Sequence, residues 1–157
     1  MRTRTVVIIG AVLVVLGCAD RILKIIALHV IPAEGWFVFG DILGIRLEYN
    51  TGIAYGLTIG RPWVVIALIC GAVLGLSAYG ARLCMRRQRL EAVGVASIIM
   101  GALSNMVDRI QYGSVIDYFY ITGMPRFNVA DLMITGGVVL WLSFLWHRRL
   151  DAPEQVA

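Results

Sequence analysis

Four long apolar runs, separated by shorter and more polar segments, dominate the amino-acid sequence. They cover about Thr5–Leu28, Pro62–Leu83, Ala92–Val107 and Val129–Trp146. A helix rises about 1.5 Å per residue and the hydrocarbon core of a bilayer is about 30 Å thick, so about 20 residues are needed to cross it. The pattern therefore predicts four transmembrane helices, with the third and fourth runs short enough to require tilt or local thinning of the bilayer.

The segment between the first and second runs has a different pattern. Residues 35–39 and 42–49 partly alternate between apolar and polar, are rich in aromatic and β-branched side chains, and are bounded by Pro32 and by glycines. Such a pattern is typical of two or three short strands. We therefore expect an all-α membrane fold, a single domain over residues 1–157, that carries a small β-sheet within about residues 35–56.

The composition excludes a soluble enzyme and a disordered chain. Of the 157 residues, 59% are hydrophobic and 15% are charged, and the mean hydropathy is +0.81. An ordinary soluble domain is about 45–50% apolar and about 25% charged. A core of this size cannot bury the excess apolar surface, so a bilayer must cover it. The cysteines and histidines lack the spacing of a metal site, and we expect no metal.

The basic residues predict how the chain is oriented. Three clusters flank the apolar runs: Arg2 with Arg4, the loop over residues 82–89, and Arg148 with Arg149. Because Lys and Arg favour cytoplasmic loops, both termini and that loop are expected inside, and the β-sheet and the segment before the fourth run outside. This placement also disfavours a nucleic-acid partner, which needs a basic stripe on a folded surface.

The first run has an alternative interpretation. Basic residues precede it, and Val15–Cys18 resembles the cleavage box of a bacterial lipoprotein, so the segment can also be a removable signal peptide. We favour a retained helix, because the chain stays apolar through Val30 and three further apolar runs follow.

Ionisable residues near a membrane span are costly unless they are paired or face water, so each one indicates a functional site. Asp20 and Lys24 lie four residues apart on one helical face. They form either a self-neutralising pair or part of a polar site. Asn105, Asp108 and Arg109 share a face at the end of the third run, which favours a site over a frayed helix end.

Two aspartates flank the short polar segment before the fourth run. Asp117 is surrounded in sequence by Val, Ile, Tyr and Phe, a setting that favours the neutral carboxyl. Asn128 and Asp131 have the spacing of a helix N-cap and its acidic partner, so capping alone explains Asp131. Two carboxyl groups that lie close together share one proton and can activate water, as in aspartic proteases. The sequence allows this pairing without establishing it. The Asn- and Gly-rich residues 50–56 are typical of an ordinary turn.

Two other functions fit the same residues. A small transporter or proton channel also uses intramembrane charges, but it needs them throughout the bilayer depth, whereas these gather at one side. A non-catalytic assembly protein would use small residues for helix packing. Ser97 and Gly101 allow close approach of a neighbouring helix, and Gly71 and Gly75 are a weaker packing signal. Such a protein would tolerate asparagine at both aspartate positions, which a catalytic pair would not.

The motifs together resemble those of the bacterial lipoprotein signal peptidases, the signal peptidase II family. Five blocks match in the family's order and cover nearly the whole chain. They are Asp20-x-x-x-Lys24, Asn50-Thr51-Gly52-x-Ala54-x-Gly56, Asn105-x-x-Asp108-Arg109, Gly113-x-Val115-x-Asp117 and Phe127-Asn128-x-Ala130-Asp131. One block would mean little, but five in order on a four-span chain make a specific match.

The resemblance implies an aspartic endopeptidase of the bacterial plasma membrane, with its active site at the extracytoplasmic face. It implies removal of signal peptides from prolipoproteins by cleavage just before the cysteine that carries a diacylglyceryl group, without a covalent intermediate. Asp117 and Asp131 match the catalytic pair. The other matching residues are Asn105, Asp108, Arg109, Asn128 and Ala130 in a supporting polar shell, Asn50 and Gly52 in contact with substrate, and Asp20 and Lys24 as a structural ion pair.

The resemblance also implies partners and cofactors. Members act on lipid-modified precursors among membrane lipids, need no metal or organic cofactor, and are inhibited by the cyclic peptide globomycin. One four-helix bundle is enough to build the site, so we expect a monomer. The chain departs from the family pattern where Arg21 replaces a frequent glutamine, Ser104 a usual glycine, and Tyr55 and Tyr118 common phenylalanines. None of these removes a carboxylate, and the Ser104 hydroxyl adds a hydrogen-bond donor.

Overall fold

Long helices form most of the structure, a computed structural model that describes residues 3–40, 42–52 and 62–151. The helices are α1 (Thr3–Val30), α2 (Pro62–Met85), α3 (Arg89–Tyr112) and α4 (Val129–Asp151). Within the described residues, these four helices are long and apolar enough to cross a membrane. The predicted fold of four transmembrane helices is therefore confirmed.

The third helix, α3, is the central one. It packs against α1, α2 and α4. In its most apolar stretch 44% of the residues are buried inside the protein, against at most 17% in the other three helices. Because neighbouring helices rather than lipid surround it, α3 can carry polar side chains that a lipid-facing helix could not. This is why the helix continues through polar residues at both ends of the apolar run over 92–107.

A three-stranded antiparallel sheet follows the ends of α1 and α3. β1 (Trp36–Phe37) and β2 (Leu43–Asn50) are strands of the kind expected between α1 and α2. β3 (Val115–Ile121), which lies between α3 and α4 in the chain, completes the order β1-β2-β3. This third strand is not among the predicted strands, although its aromatic and β-branched residues favour one. Residues 53–56 of the predicted β element lie outside the described residues.

The register of β2 and β3 places Glu48 and Asn50 of β2 beside the start of β3, which carries Asp117. Glu48 is the Cα partner of Asp117, and Asn50 is the Cα partner of Val115. A β-bulge separates these pairs from the regular pairing that ends at Ile45. Bulges redirect side chains locally and are common beside functional sites. This bulge lies directly opposite the strand that carries Asp117.

Small residues let α3 and α4 approach each other closely. A Cβ atom on Gly101 would overlap the carbonyl oxygen of Ala130 and would lie 2.8 Å from Ile134 Cγ1. A Cβ atom on Gly137 would lie 2.6 Å from the carbonyl oxygen of Gly94. The close approach expected at Gly101 is therefore present, and it occurs against the first turn of α4.

Replacing Gly101 with alanine should destabilise the protein. The added methyl group must push back the α4 backbone, and overpacking of this kind costs about 1–3 kcal/mol. The free energy of unfolding in mixed micelles measures the effect. Gly71→Ala is the matched control, because nothing beyond its own helix lies within 4 Å of the added Cβ atom and alanine favours a helix. Equal stability of the two variants would contradict the close packing at Gly101.

Candidate active site

A group of polar side chains is buried where the second half of α1, the end of α3, β3 and the start of α4 meet. None of these six exposes more than 6% of its surface: Asp20, Lys24, Asn105, Asp108, Asp117 and Asn128. A buried charge is tolerated only when it is paired and hydrogen-bonded. The contacts of each group therefore determine what the site can do.

Lys24 is the centre of an ion-pair network. Its Nζ lies 3.0 Å from Asp20 Oδ2 and 2.7 Å from Asp108 Oδ2, and it donates a hydrogen bond to Asn105 Oδ1 at 2.7 Å. All three ammonium protons therefore have acceptors. Arg21 forms a further ion pair with Asp108. Asp20 and Lys24 thus form the pair that their spacing predicts, and that pair is also part of a larger polar cluster.

Asp20 and Asp108 each hold a piece of backbone in place. Asp20 Oδ1 accepts a hydrogen bond from the N–H of Ala130 at 2.9 Å. Asp108 Oδ2 accepts one from the N–H of Ile116 at 3.3 Å. Each of these backbone groups belongs to the residue that directly precedes one of the two candidate catalytic aspartates. The ion-pair network therefore helps to fix the positions of both candidate carboxyl groups.

Asp131 caps α4 and is held at both of its oxygens. Asp131 Oδ2 accepts a hydrogen bond from the N–H of Asn128 at 3.1 Å, and the N–H of Asp131 donates to Asn128 Oδ1 at 2.9 Å. This is the reciprocal capping box that the spacing predicts. Asp131 Oδ1 also accepts a hydrogen bond from Asn105 Nδ2 at 2.8 Å. Capping therefore explains only part of the geometry, because the same carboxyl group joins the buried cluster.

Asp117 is bound by two side-chain amides. Asn128 Nδ2 donates to Asp117 Oδ1 at 2.6 Å, and Asn50 Nδ2 donates to Asp117 Oδ2 at 3.0 Å. Asn128 therefore links the two aspartates, since its amide nitrogen binds Asp117 and its carbonyl oxygen binds the backbone of Asp131. Burial raises the pKa of Asp117 to about 6; the amide hydrogen bonds oppose this rise, and the nearby charge of Asp131 adds to it.

Arg109 connects the end of β2 to the site. Its Nη2 donates to the carbonyl oxygen of Gly52 at 2.8 Å, and its Nη1 donates to the carbonyl oxygen of Asn105 at 3.3 Å. The N–H of Gly52 donates to Asn50 Oδ1 at 3.0 Å. The guanidinium also lies within electrostatic range of both candidate catalytic carboxyl groups. Residues 53–56, which include the rest of this sequence block, lie outside the described residues.

The charges of the site balance when one proton is bound. Three cations and four carboxyl groups form the cluster: Arg21, Lys24, Arg109, Asp20, Asp108, Asp117 and Asp131. A single bound proton makes the cluster neutral, which is the least costly state for buried charges. Among the described residues, no group of three or more His, Cys, Asp and Glu side chains is arranged to hold a metal ion.

Two further residues of the cluster are Arg21 and Ser104. In the sequence they are notable only because they depart from the family pattern. The hydroxyl of Ser104 donates to Asp20 Oδ2 at 2.5 Å, and Arg21 Nη1 donates to the carbonyl oxygen of Ser104 at 3.3 Å. A charged residue within an apolar helix itself indicates a polar site, so Arg21 carried a usable signal. Ser104 carried none, because serine at a helix interface equally indicates packing.

The chain is similar in sequence to proteins described as lipoprotein signal peptidases. A family model described as Peptidase_A8, signal peptidase (SPase) II, matches residues 11–147. The lipoprotein signal peptidase of Rhodococcus jostii is 33% identical over 141 residues, which cover 85% of this chain and 68% of that protein. The lipoprotein signal peptidase of Mycolicibacterium smegmatis is 32% identical over 149 residues, 90% of this chain and 61% of that protein. This chain thus spans about two thirds of the length of these curated relatives.

Two solved structures have the same fold. A structure described as "Bacterial membrane enzyme structure by the in meso method at 2.3 A resolution" has a TM-score of 0.81 at 22% identity, over 99% of this chain and 95% of that chain. A second, described in the same words at 1.9 A resolution, has a TM-score of 0.73 at 23% identity, over 91% and 93% of the two chains. These likenesses concern the fold alone. The family model covers most of the sequence, and by that match the chain belongs to the signal peptidase II family.

Proposed function

We propose that this chain is an aspartic endopeptidase that removes signal peptides from diacylglyceryl-modified prolipoproteins and cuts immediately before the lipid-modified cysteine. Family membership and the lipoprotein signal peptidases among its relatives support the substrate class. The observation that carries the mechanism is the side chain of Asn128, which joins Asp117 and Asp131. Its amide nitrogen donates to the carboxyl group of Asp117 and its amide oxygen accepts from the backbone N–H of Asp131, which supports a pair of carboxyl groups that can act on one substrate bond.

The charge balance favours a pair that holds one proton. We place this proton on Asp117, where burial raises the pKa of the carboxyl group to about 6. Asp131 lies in the first turn of α4, where the positive end of the helix dipole stabilises a negative charge. In the resting pair Asp117 is therefore the acid and Asp131 the base.

Such a pair hydrolyses a peptide bond without a covalent intermediate. Ionised Asp131 takes a proton from water as the water oxygen attacks the scissile carbonyl carbon. Asp117 gives its proton to the carbonyl oxygen, which forms a neutral tetrahedral diol. Asp131 then protonates the leaving nitrogen while Asp117 takes a proton from the diol. The carbon–nitrogen bond breaks, and the single proton is back on Asp117.

The surroundings support a site at the extracytoplasmic face of the bacterial plasma membrane. The basic loop between α2 and α3 lies at the opposite end of α3 from Asp108 and Arg109, and basic loops are cytoplasmic. The buried face of α3 between Glu91 and Ser104 has Ser97 as its one polar side chain, which disfavours an ion pathway across the bilayer. The signal helix and the acyl chains of the substrate would reach the site within the plane of the membrane, and this would orient the substrate.

The value of kcat/KM should fall on the alkaline side with an apparent pKa near that of Asp117, about 6. Loss of this proton leaves both carboxyl groups ionised and no acid for the carbonyl oxygen. Above that pH we expect a fall of about tenfold per pH unit, so that about 1% of the plateau remains near pH 8. Initial rates with lipidated precursor across this range measure the profile. A plateau that extends to about pH 8 would contradict the assignment of the proton to Asp117.

Cleavage by the purified full chain tests the proposed function. A prolipoprotein with and without its diacylglyceryl group is incubated with the protein in mixed micelles, and the products are separated on a gel. We expect cleavage of the lipidated precursor alone. Equal cleavage of both precursors would refute the lipid requirement. If folded protein cleaved neither, the peptidase function would be refuted, and proton flux in vesicles would test the transport alternative.

A further inference from the structure

The end of the helix bundle opposite to the active site carries a cavity surrounded by arginines. This basic cavity has a volume of about 130 Å³ and is lined by Tyr79, Arg82, Leu83, Arg86, Gln88 and Arg148. These residues come from the end of α2, the turn that follows it and the end of α4. We infer that the basic cavity binds the phosphate of an anionic phospholipid.

The basic cavity holds more positive charge than its neighbours compensate. Arg148 forms an ion pair with Glu91. In the described part of the chain, neither Arg82 nor Arg86 forms an ion pair. These two arginines lie four residues apart, a spacing at which like charges repel. An anion between them removes this repulsion, and guanidinium groups bind phosphate oxygens through paired hydrogen bonds.

The wall of the basic cavity suits a phosphate that is attached to a lipid. Leu83 is 2% exposed, and the ring of Tyr79 packs against that of Trp141 with the centroids 5.6 Å apart. Trp141 Nε1 donates to the Tyr79 hydroxyl oxygen at 3.5 Å, which leaves the hydroxyl proton free to donate to a phosphate. The apolar span of α2 ends at Met85. The basic cavity therefore lies at the level of the head groups, where Tyr and Trp are common.

An unpaired acceptor favours a head group that donates hydrogen bonds. Gln88 Oε1 is buried and has no hydrogen-bond partner among the described residues. Gln88 also lines a larger cavity of about 460 Å³, whose wall includes Arg87 and Glu91. A glycerol head group that extends from the phosphate toward this second cavity supplies hydroxyl donors, whereas a choline head group has none. Phosphatidylglycerol therefore fits better than phosphatidylcholine.

Native mass spectrometry of the delipidated full chain tests this inference without any peptidase substrate. The protein is titrated with dioleoylphosphatidylglycerol, with dioleoylphosphatidylcholine or with inorganic phosphate. Arg82→Gln combined with Arg86→Gln should weaken phosphatidylglycerol binding by about tenfold or more, because two charge-assisted hydrogen-bonding groups are lost. Tyr79→Phe, which removes one hydroxyl group and keeps the fold, should weaken it by a smaller factor.

Arg4→Gln is the matched control for Arg82→Gln, because Arg4 is an exposed arginine of α1 that does not line the basic cavity. Arg4→Gln should leave the affinity for phosphatidylglycerol unchanged, whereas Arg82→Gln should lower that affinity. Equal losses in the two variants would overturn the inference in favour of unspecific attraction by net charge. Equal binding of the two lipids would also overturn it. Inorganic phosphate that binds as tightly as phosphatidylglycerol would refute a lipid as the source of the phosphate.

Discussion

Replacement of either Asp117 or Asp131 by asparagine should abolish cleavage and leave the fold intact. In the proposed mechanism each carboxyl group transfers a proton twice per turnover, and asparagine cannot do so. A positioned acid or base contributes about 10²–10⁴-fold, so each variant should cleave lipidated precursor at below about one hundredth of the wild-type rate. Asparagine has nearly the shape of a neutral carboxyl group, so neither change creates a cavity. Initial rates measured on a gel check the result.

Glu34→Gln is the matched control for this experiment. Glu34 is an exposed carboxylate between α1 and β1, so its neutralisation should leave the rate at the wild-type value. A cooperative unfolding transition above the assay temperature in both aspartate variants separates lost chemistry from lost structure. Some loss of stability is expected, because each asparagine amide group faces an N–H donor that the carboxylate accepted from. Cleavage at the wild-type rate by either variant would reject Asp117 and Asp131 as the catalytic pair.

Lys24→Met should have the largest effect on stability. Lys24 is 1% exposed, and its ammonium group contacts both Asp20 and Asp108. Methionine keeps much of the side-chain volume but leaves two buried carboxylates without this cation. Removal of one partner from a buried ion pair costs about 3–5 kcal/mol. The free energy of unfolding in mixed micelles measures the loss.

Two further variants test whether the loss of stability in Lys24→Met comes from the buried ion-pair network. Arg4→Met removes an exposed cation from the same helix and should change the free energy of unfolding by at most about 0.5 kcal/mol. Asp20→Asn combined with Lys24→Met should be less destabilised than Lys24→Met alone, because one uncompensated carboxylate is gone. A loss of less than about 1 kcal/mol for Lys24→Met would contradict the buried network.

Local pattern predicts the helices better than it predicts the sheet. A transmembrane helix needs only enough consecutive apolar residues, so all four could be expected from the sequence. The full extent of α3 depends on its central position, which no local pattern records. β3 forms by pairing Val115 with Asn50, on a strand more than sixty residues earlier, and the carboxyl of Asp117 interrupts its apolar pattern. Contacts over such sequence separations are set by how the helices pack.

In the candidate site too, contacts within one element could be predicted from the sequence and contacts between elements could not. The Asp20–Lys24 pair and the capping box of Asp131 each lie within one helical turn, so their spacing alone predicts them. The contacts of Lys24 with Asp108 and of Asn128 with Asp117 join different elements, and only the folded arrangement reveals them. Family resemblance named most of these residues. It could not indicate that Asp20 and Asp108 hold the backbone beside the two aspartates.

The masses of the reaction products test the central claim most directly. A lipidated precursor is incubated with wild-type protein and, in parallel, with Asp131→Asn, and both products are measured by intact-mass spectrometry. We predict that only the wild type yields two products, a free signal peptide and a mature protein that begins with the diacylglyceryl-modified cysteine. A mature product that begins at any other residue, or the same product from the Asp131→Asn variant, would contradict the proposed site and its chemistry.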